Sequence, residues 1–397
     1  MRIVYCVPLV VLMVVGGSGV AAGQDLSAIP PAELALQAPQ VISPPGPEYA
    51  DAARAFQGIP GVERAPNGRL WATWYGGGPD EGPENYVMLA TSGDDGGTWS
   101  GVTLVIDPPG MVRAFDPCIW HDPQGKLWLF WAQGVTLWDG RAGVWAIVAG
   151  DSGNAHPVWS EPRRICDGIM MNKPTVLRSG VWLLPAAIWA MPSIRVPDPQ
   201  YVIDNTRTTG SWVVASTDQG QTFTPLGRSD VQGRQCDEHM IVERGDGTLW
   251  MLVRTGYGIG ESLSEDGGKT WTAGRPAETV KHIDSAARFF IRRLASGRLL
   301  LVKHAPPGNH GRSHLTAYLS DDDGKTWQGG LLLDERAGVS YPDGVEAPDG
   351  TIYIIYDYSR RAEREILLAT FAEEDVMQGK CVSGKARLRA LVNKAGK

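Results

Sequence analysis

The chain has 397 residues, 43% hydrophobic and 20% charged, which is enough to bury a large core and too apolar for a disordered protein. Its 37 basic and 44 acidic residues give a formal net charge of −7, a balance that argues against nucleic-acid binding. Forty-nine glycines and 28 prolines recur between short Val/Ile/Leu/Trp runs, the punctuation of many strands and not of long helices.

The chain opens with Met1-Arg2, an apolar run over residues 3–15 and small residues ending Val20-Ala21-Ala22. That pattern reads as a secretory signal peptide over 1–22, cleaved after Ala22. The run is shorter than the ~20 apolar residues of a transmembrane helix, so no membrane span is expected. Cleavage removes Arg2 and no acid, leaving 36 bases against 44 acids in a secreted or periplasmic protein. Residues 23–54, rich in Pro and Ala, form a lead-in segment, and the folded domain is expected over 55–376. Residues 377–397 then form a basic C-terminal tail with Lys380, Lys385, Arg387, Arg389 and Lys394. Cys118, Cys166, Cys236 and Cys381 stay in the mature chain, where an oxidising compartment permits disulfides in any of three pairings.

Within the domain a short frame, Ser-x-Asp-x-Gly-x-Thr-aromatic, occurs four times. The copies run from Ser92 to Trp99, Ser216 to Phe223, Ser264 to Trp271 and Ser320 to Trp327, with a worn fifth ending at Trp159. Ser and Asp side chains can accept backbone N–H groups inside a hairpin loop, Gly supplies the unusual backbone shape, and the aromatic packs beneath. The frame therefore reads as a structural turn and not as a calcium or sugar site. A second period frames the first: Gly68, Gly125, Gly180, Gly247, Gly297 and Gly350 each precede an apolar strand that opens on Trp71, Trp128, Trp182, Trp250, Leu300 or Tyr353. Six such units, each of about four strands, describe an all-β, six-bladed β-propeller. Most of the tryptophans are expected in the core between blades.

Ligands of propellers usually bind at the mouth of the central channel, which the starts of the innermost strands line. Counting back eight residues from the residue before each turn glycine reaches Ile59, Asp116, Met171, Glu238, Arg288 and Tyr341. Ionisable groups of both signs and a tyrosine thus gather where a polar site is expected. The histidines, among them His239, His282, His304, His310 and His314, show no metal-ligand spacing on one element, and no metal or other cofactor is expected.

The repeated turns, called Asp-boxes, and the count of six units resemble the exo-sialidase (neuraminidase) family over most of the domain. Cys236-Asp237-Glu238-His239 followed by Arg254 is similar to the family's base-glutamate strand with an arginine one strand later. Arg312 before the Asp-box at Ser320, and Ser340-Tyr341-Pro342-Asp343, resemble a second arginine and the nucleophilic tyrosine strand. The resemblance implies a secreted glycoside hydrolase that releases sialic acid or a related acidic sugar from glycans. Tyr341 would attack, Glu238 would take its proton, and Arg254 with Arg312 would bind the substrate carboxylate. A neutral phenol suits this chemistry, because a carboxylate nucleophile would be repelled by the acid group on the anomeric carbon.

Two departures stand out. The family opens its first blade with an arginine just before Ile-Pro, whereas this chain has Gln57, an additional Gly58, and then Ile59-Pro60. Arg113 or Arg288 is then the expected substitute, with Gln57 and Asp116 also facing substrate. The family's acid lies on the loop after the second strand of the first blade, where Asp80 is the expected acid and Glu81 and Glu84 are alternatives. Two other functions fit the same residues: a lyase or hydrolase acting on uronate polymers, or a non-catalytic glycan-binding propeller.

Overall fold

The computed structural model describes residues 29–136, 140, 142–189, 207–280, 286–306 and 311–396. The leader over 1–22, His282 and His310 lie outside them. Among the described residues the strands make six antiparallel sheets, each built outward in chain order from an inner strand. The inner strands are Phe56–Arg64, Val112–His121, Thr175–Val176, Met240–Glu243, Phe290–Arg293 and Val339–Glu346. They pack against one another around a common axis, and the protein is a six-bladed β-propeller.

The Asp-boxes connect third and fourth strands in blades 1, 3, 4 and 5. In the first, Ser92 Oγ donates to Asp94 and accepts from Gly96 N, while Asp94 accepts from both the N–H and the hydroxyl of Thr98. The same bonds recur around Asp218, Asp266 and Asp322. Each carboxylate is consumed by its own turn, as the local reading requires. The box glycine has a second duty. At Gly324, where φ is +83°, an added Cβ would lie 2.4 Å from the Trp250 ring of the preceding blade. Trp71, Trp128, Trp182 and Trp250 are buried, so the tryptophans that open the second strands are core between blades.

Segments of both the expected lead-in and the expected tail belong to the propeller. Val41–Ile42, in the expected lead-in, adds an outer strand to blade 1 by pairing with Leu104–Ile106. Arg387–Lys394, in the expected basic tail, is the fourth strand of blade 6, paired with Glu365–Phe371. Blade 6 therefore closes the ring by packing on blade 1. Asn393 accepts from Arg54 and from Gln57 and donates to Asp51, and Gly396 N donates to Asp51 O. The sequence period of the turns stopped one strand short, because the last strand carries no turn glycine of its own. Cys118, Cys166, Cys236 and Cys381 are all free thiols.

Candidate functional site

Three inner strands carry the same irregularity at the mouth of the channel. Register slips between Gly58 and Gly61, between Phe115 and Cys118, and between Ser340 and Asp343. Each bulge contains an X-Pro pair, Ile59-Pro60, Asp116-Pro117 or Tyr341-Pro342, and X has φ of +58°, +48° or +54°. Proline withdraws a ladder donor, and the extra residue of a bulge redirects the side chain before it. In blade 4 the same turn toward the axis is made by three consecutive left-handed residues, Cys236, Asp237 and Glu238. Such backbone is costly for non-glycine residues and collects where side chains must be aimed.

The result is a cavity of about 250 Å³ at the axis. Five of the six counted positions, Ile59, Asp116, Met171, Glu238 and Tyr341, line it. Tyr341 Oη donates to Glu238 Oε1 at 3.0 Å, and Arg254 donates to Tyr341 Oη at 3.2 Å and also bonds Glu238 Oε1. Glu238 Oε2 is buried with no hydrogen-bond partner among the described residues. The guanidiniums of Arg312 and Arg360 stand 5.3 and 5.1 Å from the centre of the Tyr341 ring.

The electrostatics follow from burial and these neighbours. Burial, then the Glu238 carboxylate, pushes the Tyr341 phenol well above its ordinary range, so it holds its proton at neutral pH. Burial works against the charge of Arg254, but Glu238 beside it overcomes this and keeps the guanidinium firmly protonated. Burial pushes Asp116 up to about 8, so this carboxyl is mainly a neutral hydrogen-bond donor at pH 7. The neighbouring thiol of Cys236 is pushed by burial up to about 12 and is no thiolate.

Arg113 also lines the cavity, stacked 3.7 Å over Phe115 and donating to Asn85. Three expected site residues do not reach it. Gln57 is fully buried behind the inner strand, accepting from Arg54 and Trp74 and donating to Arg364 O and Asn393. It belongs to the closure of the ring. Arg288 lies off the cavity lining, with its Nε on Asn172 and an Nη on Met171 O, 3.6 Å from Asp343. Asp80 is about half exposed and paired with Arg361; partial burial opposes its charge, but that arginine holds the carboxyl below its usual range. The cavity is lined instead by Glu81, whose carboxylate accepts from Arg360 at 2.9 Å. His239 is a buried imidazole on Trp212 O, pushed down to about 4 by burial, and His304 sits likewise on Val339 O.

Two groups escaped the sequence reading. Arg360 lies in the turn after the strand Ile352–Tyr358 and has no motif around it. Lys173, two residues beyond Met171, points along the axis below the cavity. It donates to Val62 O and Ile119 O at 2.6 Å each and to Glu63 at 3.1 Å, and lies 3.3 Å from Asp343. Lys173 precedes the short inner strand Thr175–Val176 and has no motif around it.

The chain matches the BNR repeat-like domain family over residues 68–354. A sialidase of Bacteroides fragilis is 24% identical over 339 residues, covering 78% of this chain and 61% of that one. An anhydrosialidase of Macrobdella decora is 26% identical over 157 residues, covering 36% of this chain and 21% of that one. The chain thus spans less than two thirds of the length of either relative. A solved structure of the NanB sialidase of Streptococcus pneumoniae shares the fold, with a TM-score of 0.61 at 13% identity over 90% of this chain and 73% of that one. The chain belongs to the BNR-repeat family of the sialidase superfamily.

Proposed function

We propose that this protein is a sialidase-like glycoside hydrolase releasing a terminal sialic acid or a related acidic sugar from glycans. The observation that carries the reading is the hydrogen bond from Tyr341 Oη to Glu238 Oε1, bordered by Arg254 and Arg312. The relatives named sialidase and anhydrosialidase support the same class of substrate. In the first step Tyr341 Oη passes its proton to Glu238 and bonds to the anomeric carbon as the glycosidic bond breaks. Arg254, already donating to Oη, stabilises the oxygen as its charge develops. Arg254 and Arg312 hold the sugar carboxylate through charge-assisted hydrogen bonds.

The leaving oxygen needs a proton, and the carboxyl of the expected acid loop that lines the cavity is Glu81, which would supply it in its protonated form. Its side chain is 31% exposed, at the rim where an aglycone would leave. Asp116 is 3% exposed on the cavity wall and suits a sugar hydroxyl. Water then attacks the anomeric carbon and gives its proton to the Glu81 carboxylate, while the glycosyl–tyrosine bond breaks and Glu238 returns its proton to the phenolate.

The test is release of fluorophore from a fluorogenic α-sialoside by the purified protein, with Tyr341→Phe and Glu238→Ala as controls. Wild-type turnover that falls about 10²–10⁴-fold in Glu238→Ala, and at least as far in Tyr341→Phe, is expected. Turnover unchanged from wild type in both variants would sink the mechanism. Glycan binding without release would favour a binding protein, and an ultraviolet-absorbing unsaturated product from a uronate polymer would favour a lyase.

A further inference from the structure

The first strand of the propeller lacks the arginine that the sialidase resemblance leads one to expect, and the ring closure explains where its position went. Gln57 holds that place with its side chain turned away from the axis into the Arg54–Trp74–Asn393 cluster. The extra residue, Gly58, is the informative one. A Cβ at Gly58 would lie 2.3 Å from Cδ and 2.7 Å from Cγ of Arg360. The methylene stem of Arg360 therefore runs directly over the bare backbone of Gly58, and Gln57 N donates to Arg360 O at 3.3 Å.

The stem leads the guanidinium to the cavity. Arg360 lines it, 5.1 Å from the Tyr341 ring centre, with one Nη on Glu81. Nε and the other Nη make no hydrogen bond among the described residues. Arg312 approaches the same ring from blade 5, fixed by an Nη on Ala286 O, and Arg254 approaches the phenol oxygen from blade 4. Three guanidiniums from three blades thus surround one phenol, in a cavity whose carboxyl groups do not neutralise all three. Glu238 is paired with Arg254, Glu81 with Arg360, whose charge the buried Asp357 supports as well, and Asp116 is largely protonated at pH 7, so Arg312 is the guanidinium with no carboxylate partner among the described residues.

We propose that Arg360, delivered from blade 6 across Gly58, is the third guanidinium that binds the substrate carboxylate together with Arg254 and Arg312. The lost arginine and the inserted glycine are then two halves of one change, in which the charge is supplied by the last blade instead of the first. The proposal rests on the reading that the cavity accepts a carboxylate-bearing sugar.

The experiment is calorimetric titration with 2,3-unsaturated sialic acid and, separately, with its methyl ester, which keeps the sugar and removes the charge. Wild type is expected to prefer the acid. Arg360→Gln is expected to bind the acid about tenfold or more weakly, since it loses a charge-assisted contact, with ester binding unchanged. Gly58→Ala displaces Arg360 without deleting it and is expected to lose the same preference. Unchanged acid affinity in Arg360→Gln would overturn the proposal. So would an equal loss for acid and ester, which is what a merely structural arginine would give, or a wild type that binds neither. Sialoside turnover judges the hydrolase reading separately: acid binding that depends on Arg360 but without turnover keeps this inference and removes that one.

Discussion

Replacing Gln57 by arginine restores the residue that the sialidase resemblance expects and should nonetheless damage this protein. Gln57 Oε1 accepts from Arg54 Nε at 3.1 Å and Trp74 Nε1 at 2.9 Å, and its Nε2 donates to Arg364 O at 2.7 Å and Asn393 Oδ1 at 3.0 Å. A guanidinium can only donate. Gln57→Arg therefore leaves two buried donors without an acceptor, at about 1–3 kcal/mol each. It also sets a second cation beside Arg54 and crowds a site with no exposed surface, for a further ~1–3 kcal/mol. The sum, roughly 3–9 kcal/mol, is a large part of the ~5–15 kcal/mol by which folded proteins are stable. Urea unfolding should show a sharply lower midpoint at an unchanged slope. A Gln57→Arg protein with wild-type stability and tighter binding of an acidic sugar would show that this position still belongs to the site and that the closure argument is wrong.

Lys173→Met should cost about 3–5 kcal/mol, because it leaves Glu63 and Asp343 buried beside no lysine; an unchanged denaturation midpoint would refute this. Glu63 adds a pH signature. Burial would raise its carboxyl, but Lys173 overcomes this and holds it down at about 2, so its contribution to stability is present above the unfolded value near 4.5 and is lost as pH falls through about 2. The variant should lose that resistance to acid, read as melting temperature against pH. Asp116 has the opposite sign: its folded value of about 8 lies above the unfolded 3.8, so its stabilising contribution is complete below about 3.8 and is lost as pH rises through about 8. Asp116→Asn should therefore gain melting temperature relative to wild type across that window and level off above it, and a constant difference at all pH values would contradict the neutral carboxyl.

The turns and their spacing were legible in the sequence because their causes are local. An Asp-box is written in eight consecutive residues, and each of its side chains bonds within that stretch, as Asp94 does to Thr98. The same period, counted back, reached five residues that line the cavity, because inner strands of like length start at like distance from their turns. What failed was whatever depended on contacts between blades. Arg288 satisfied the count, yet Asn172, which precedes the inner strand two blades back, holds its side chain off the cavity lining. Gln57 stands at the strand start too, but the final strand, some 336 positions away in sequence, claims it through Asn393. Asp80, the expected acid, is drawn outward by Arg361, which leaves its neighbour Glu81 on the same loop to face Arg360. Arg360 itself was beyond a motif search, since the feature that announces it is a missing Cβ at Gly58, on the other side of the ring closure. In a closed propeller the first and last blades share one wall of the axial cavity, so a residue lost from one can be supplied by the other with no trace in the local sequence of either.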